Sequence, residues 1–201
     1  MYELFLNAFV ILLLITDPVI SAIAFVGLTT DYNKKKSFLS ATKAIIVSLG
    51  IMLFFAFFGS ELIEMLGISL SAFRIAGGLL LFITSVRMLF GPDELAIVPD
   101  KSSDTHDIAI FPIAVPLIAG PGCITAVILL MSKANTFVES SMVIAAILAN
   151  CIIVYGCLLT AGKVKKLFGE SGVIVISRIT GVLLTALSIQ IIVDGIRSIF
   201  I

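Results

Sequence analysis

Charge is scarce in this chain: only 13% of its 201 residues are Asp, Glu, Lys or Arg. The 13 basic and 13 acidic residues cancel to a formal net charge of zero, so no basic surface points to nucleic acid. Cysteine and histidine are also sparse. Cys123, Cys151 and Cys157 lie in apolar runs without C-x-x-C spacing, and His106 is the single histidine. Neither a disulfide framework nor a zinc site is indicated, and the cysteines read as small packing residues. No metal-ligand cluster and no nucleophile with a positioned base is visible, so an enzyme is not expected, nor a cofactor. A basic leading region is missing too. The first apolar run carries Glu3 and a polar centre, which reads as a retained segment and not a cleaved signal peptide.

What the chain has in excess is apolar surface. It is 60% hydrophobic with a mean hydropathy of +1.22, which marks an all-α polytopic membrane protein. Apolar runs near 20 residues fall at 4–28, 38–58, 68–90, 108–131, 137–160 and 172–200, six spans in all. The predicted loops at 29–37 and 161–171 hold Lys34, Lys35 and Lys36, and Lys163, Lys165 and Lys166. With both loops cytoplasmic, both termini lie outside and basic residues gather inside, leaving only Arg74, Lys133 and Arg197 on the outer side. The polar stretch 91–107 reads as a flexible cytoplasmic linker, with His106 a solvated loop residue.

That linker divides one transmembrane domain, 1–201, into halves of three spans, 1–91 and 108–201. Arg74-Ile75-Ala76-Gly77-Gly78-Leu79-Leu80 reappears as Arg178-Ile179-Thr180-Gly181-Val182-Leu183-Leu184, 104 positions later. The same offset carries Asp17-Pro18 to within one residue of Gly120-Pro121-Gly122. Together the matches indicate an internal duplication, and three spans per half make the second copy inverted. Inverted repeats with paired broken helices point to a secondary transporter with a midplane site.

Each break has a physical reading. Asp17 is a favoured N-cap and Pro18 a favoured first helical residue, so a half-helix starts there. Gly120 and Pro121 can do the same in the fourth span, with Gly122 allowing close approach to the backbone. Two half-helix N-termini near the bilayer midplane would present unpaired N–H groups to an anionic group such as a carboxylate. An ionisable residue at that depth is by default a functional-site hypothesis, and Asp17 suits an ammonium group, a cation or a transported proton. The pair suits a small zwitterion. The predicted substrate set is Thr16, Asp17, Pro18, Ser21, Gly120, Pro121, Gly122, Cys123 and Thr125, with Asp17 as the coupling residue. Pro112 and Pro116 make the first half of the fourth span irregular.

Other polar residues take simpler readings. Arg74 and Arg178 snorkel to the interface. Gln190, Asp194 and Arg197 form an intrahelical cluster. Asn150 bonds between helices, and Gly77, Gly78 and Gly181 permit close packing. Asp17 as a plain kink cap and Gly-Pro-Gly as a packing kink remain open beside the site reading.

The chain resembles the MarC family of prokaryotic inner-membrane proteins, which includes SnatA-type amino acid transporters. The resemblance covers nearly the whole length. It rests on Asp107-Ile108-Ala109 through Phe111-Pro112 and Val115-Pro116-Leu117-Ile118-Ala119-Gly120-Pro121-Gly122 to Thr125, on Phe73 to Leu80 with Arg87 to Gly91, and on Arg178-Ile179 to Asp194-Gly195-Ile196. In the first span Asp17-Pro18 and Phe25 match, but Ile20 stands where the family has glycine and Ile23 where it has a second proline, narrowing the space beside the break. The resemblance implies an inner-membrane exporter of small neutral amino acids such as glycine or alanine, coupled to protons or sodium. Expected partners are that zwitterionic substrate and the lipid bilayer, with a homo-oligomer compatible. The alternatives are a non-transporting membrane scaffold or assembly protein, or a passive small-solute channel.

Overall fold

The computed structural model describes residues 2–90 and 108–200. The linker at 91–107, with His106, lies outside the described residues. All described elements are helical: α1 (Tyr2–Thr16), α2 (Pro18–Leu28), α3 (Lys34–Met65), α4 (Leu70–Phe90), an irregular segment (Ala109–Ile118), α5 (Pro121–Ser132), α6 (Phe137–Leu159) and α7 (Ala161–Phe200). Five stretches are long and apolar enough to cross a membrane, and the bent pair Ala109–Ile118 with Pro121–Ser132 makes a sixth when taken as one span. Each coincides with one of the six predicted spans.

The helix ends follow from local chemistry. Asn33 caps α3 by accepting from Lys36 N at 2.8 Å. Thr136 and Glu139 form a reciprocal capping box at the start of α6. The two lysine clusters are not in loops, which corrects the expectation for 29–37 and 161–171. Lys34, Lys35 and Lys36 form the first turn of α3, and Lys163, Lys165 and Lys166 belong to α7. Lysines at a helix start oppose the macrodipole. At α3 the Asn33 cap offsets this, and Lys36 Nζ sits 3.8 Å from the Tyr32 ring centroid. In α7 the regular path breaks only at Gly169, whose φ of 62° favours a residue without Cβ. At 32 residues, or about 48 Å, α3 exceeds a bilayer core, long enough for Lys34, Lys35 and Lys36 and for Glu61 and Glu64 to reach past the hydrocarbon at opposite ends.

The interior is built largely from small side chains. Ala8, Ala22, Ala41, Ala44, Ala114 and Ala146 are all fully buried, letting backbones approach closely, while Phe54, Phe57, Ile152 and Val182 face outward as lipid-facing residues would. Packing follows an exchange pattern. α1 and α2 lie along α6, as α5 and the irregular segment lie along α3; α2 lies against α7, as α5 lies against α4. α4 and α7 make the most extensive contact.

The buried faces correspond as well. The N-caps Asp17 and Gly120 stand 103 residues apart. Gly78, Leu81 and Ser85 on α4 are buried, and so are Gly181, Leu184 and Ser188, the same residue types 103 positions later on α7. On α3 and α6 the interval is 102. Ala41, Ala44, Ile45, Ser48, Met52 and Ala56 are buried, as are Val143, Ala146, Ile147, Asn150, Val154 and Leu158.

Candidate functional site

The first break occupies one residue. Asp17 adopts φ 34° and ψ 82°, a left-handed conformation that Asp tolerates better than most residues because its short side chain bonds locally. Its Oδ1 accepts from Ile20 N at 3.1 Å, capping α2. Around it the chain stays tied together. Asp17 N donates to Leu13 O, Ser21 N donates to Asp17 O, and Ser21 Oγ donates to Thr16 O at 2.8 Å. Pro18 has no N–H, so Leu14 O loses its ordinary helical donor. Across this break Tyr2–Leu28 still counts as one candidate crossing of 27 residues.

The second break is wider and bends its span by 54°. Phe111 and Val115, each before a proline, are extended (φ −128° at both), which is why the irregular segment cannot form a regular helix. Gly120 is the N-cap of α5, and having no side chain it makes no side-chain cap bond. The α2 N-terminus is therefore capped by its own carboxylate, while the α5 N-terminus has no such acceptor on its cap residue.

The two breaks meet. α1 packs on α5 and α2 packs on the irregular segment, so the broken spans run antiparallel and cross where both are interrupted. Ile15, two residues before Asp17, lies 3.9 Å from where a Cβ on Gly122 would stand. The space beside Gly122, which sequence reasoning reserved for a ligand, is filled here by Leu81, whose Cδ2 such a Cβ would strike. Thr125 is used locally: its Oγ1 donates to Pro121 O at 2.9 Å and its methyl packs against Gly77 of α4. Ser21 bridges the first break, as described. Of the predicted set, Thr16, Asp17, Ser21, Gly120, Gly122, Cys123 and Thr125 are buried, Pro18 is half-buried and Pro121 is exposed. Ile20 and Ile23 are half-buried beside the first break.

Three buried polar atoms have no hydrogen-bond partner among the described residues: Asp17 Oδ2, Asn150 Nδ2 and Ser48 Oγ. Asn150, fully buried on α6, has Oδ1 3.2 Å from Thr16 Oγ1, which is the interhelical contact expected of it. Thr16 Oγ1 also lies 2.9 Å from Leu12 O, and a hydroxyl has one proton to give. If that proton goes to Leu12 O, Asn150 is better placed with Nδ2 donating to Thr16 and Oδ1 open, since amide orientation is assigned from the bonding network. Ser48 escaped sequence reasoning, because a serine in an apolar helix is unremarkable until its burial is known.

Elsewhere, Gln190 Nε2 donates to Asp194 Oδ1 at 2.7 Å, the predicted intrahelical contact. A cleft of about 330 Å³ opens at the end carrying Lys34 and Lys163, lined by Phe25, Thr29, Thr30, Ser37, Leu158 and Gly162. Phe25, two turns along α2 from Asp17, is 2% exposed and lines this cleft. Among the described residues no three His, Cys, Asp or Glu side chains gather into a metal-binding group.

Comparison with known proteins covers nearly the full chain. The family model described as MarC family integral membrane protein matches residues 2–200. The chain is 39% identical over 198 residues to a UPF0056 membrane protein of Methanocaldococcus jannaschii, covering 97% of both chains. It is 32% identical over 201 residues to a UPF0056 membrane protein of Aquifex aeolicus, covering 97% of this chain and 93% of that one. To the UPF0056 inner membrane protein MarC of Salmonella paratyphi B it is 31% identical over 207 residues, covering 94% and 92%. No solved structure matches.

Proposed function

The chain belongs to the MarC family of integral membrane proteins, and from that premise we propose that it is a secondary active transporter of small neutral amino acids such as glycine or alanine. The observation that carries this reading is the crossing of two interrupted spans, one presenting a buried carboxylate oxygen without a partner and the other a helix N-terminus whose cap residue has no side chain. Those are opposite poles within one apolar interior. An ammonium group is attracted to Asp17, and a carboxylate to the first-turn N–H groups of Gly122 and Cys123. Leu81 fills the approach to Gly122, so it must swing aside to admit the carboxylate.

The exchange pattern of packing and the matched buried faces support reading the halves as inverted repeats that rock against each other. Asp17 then also carries the coupling proton or sodium ion. The protein sits in the prokaryotic cell membrane with its lysine-bearing helix ends in the cytoplasm, and the cleft bounded by Phe25 is the inner mouth. Counterflow in proteoliposomes tests this. Vesicles preloaded with unlabelled glycine or alanine should accumulate the labelled amino acid transiently above equilibrium. Label entering without trans-acceleration would mark a channel, and no entry at all would leave a scaffold role.

A further inference from the structure

Two of the three unpartnered polar atoms belong to helices that the predicted site does not include, and they occupy matching places. Ser48 on α3 and Asn150 on α6 are each fully buried, and they are paired by the 102-residue interval that relates the buried faces of those helices. Asn150 lies level with the first break, tied to Thr16. Counting along α3 brings Ser48 to the neighbourhood of the second. α3 packs against both parts of the fourth span, and Gly59 in its last third faces Ile128 of α5, so its earlier turns lie against the irregular segment. Counting back eleven residues along α3 from Gly59 reaches Ser48, and the same step along its neighbour from Ile128 reaches 117, within about one turn of Gly120.

α3 and α6 thus each bury one polar side chain with hydrogen-bonding capacity left over on the face turned to the broken spans. A buried polar group without a partner is destabilising, roughly 1–3 kcal/mol for a neutral one, and such groups are few in native proteins. Two at corresponding positions indicate a shared use. We propose that Asn150 and Ser48 are substrate-binding residues, completing the two poles of the zwitterion site. Asn150 Oδ1, freed when Nδ2 donates to Thr16, joins Asp17 Oδ2 as a second acceptor for the ammonium group, which has three N–H donors to place. The Ser48 hydroxyl donates to the carboxylate beside the N–H groups of α5. The inference rests on the transporter reading and deepens it. α3 and α6 become part of the site, and each pole is built from both halves of the chain.

The test compares Ser48→Ala and Asn150→Leu with the unaltered protein in glycine counterflow, with thermal unfolding measured in parallel. Ser48 has no bond to lose in the folded protein, so Ser48→Ala should leave the unfolding midpoint unchanged or slightly higher. Its half-saturating glycine concentration should rise about tenfold, as for loss of a hydrogen bond to a charged group. Asn150→Leu should raise it by a similar factor, with some loss of stability from the severed Thr16 contact. Ser48→Cys keeps the volume without a strong donor and serves if Ser48→Ala fails to assemble. Half-saturation within twofold of the unaltered protein for Ser48→Ala or Ser48→Cys would overturn the inference and leave the transporter reading intact. No glycine or alanine counterflow in the unaltered protein would overturn both.

Discussion

Asp17 is given two jobs, a backbone one and a chemical one, and substitutions separate them. Asp17→Asn, Asp17→Gly and Asp17→Ala all remove the charge, so differences among them report only the cap and the left-handed backbone. Asn keeps an oxygen able to accept from Ile20 N and tolerates φ 34°. Gly tolerates the conformation and loses a few tenths of a kcal/mol of capping. Ala loses the cap, about 1 kcal/mol, and adds a further 1–2 kcal/mol for the left-handed backbone. Asp17→Ala should therefore be about 2–3 kcal/mol less stable than Asp17→Asn, with Asp17→Gly close to Asn. At about 2–4 °C per kcal/mol for a chain this size, the Ala variant should melt roughly 4–12 °C below the Asn variant. The thiols of Cys123 and Cys151, both buried, supply the assay: a maleimide dye that fluoresces on reaction reports their exposure during heating. Asp17→Asn should meanwhile show no gradient-driven flux. Equal melting of Ala and Asn would refute the backbone role, and full coupled flux in Asp17→Asn would refute the chemical one.

Other outcomes follow from the packing. Gly122→Val should destabilise by about 1–3 kcal/mol through collision with Leu81, and Leu81→Ala in the same chain should recover part of that loss, as read by the thiol-exposure melt. Thr136→Ala removes the capping box on α6, far from the breaks, and should lower stability by about 1 kcal/mol while leaving the half-saturating glycine concentration unchanged. A single cysteine introduced at Lys35, in a background without the native three, should react with a membrane-impermeant maleimide in inside-out vesicles and not in right-side-out ones. The reverse labelling would overturn the assigned orientation.

The spans were legible in the sequence because a bilayer demands long apolar runs, and both interruptions were legible because proline and glycine mark them. Pairing Asp17-Pro18 with Gly120-Pro121 by offset found the two places that the fold brings together. The limits of the lysine-bearing helices were not legible. Lysine flanks a span whether it lies in a loop or in the first turn of a helix, and only the Asn33 cap and the path through Gly169 decide between them.

The sequence by itself determined the class of protein, the apolar runs long enough to span and the two breaks, since each depends on local composition or on a single backbone restriction. Tertiary structure decided which atoms near the breaks are satisfied. Ser21 and Thr125 spend their hydroxyls on backbone carbonyls, and Leu81 fills the space that Gly122 leaves. Asp17, Asn150 and Ser48 each retain an unpartnered atom. Ser21 and Thr125 find their acceptors five and four residues back, but Asn150 depends on Thr16, far away along the chain, and no pattern within one helix records that contact.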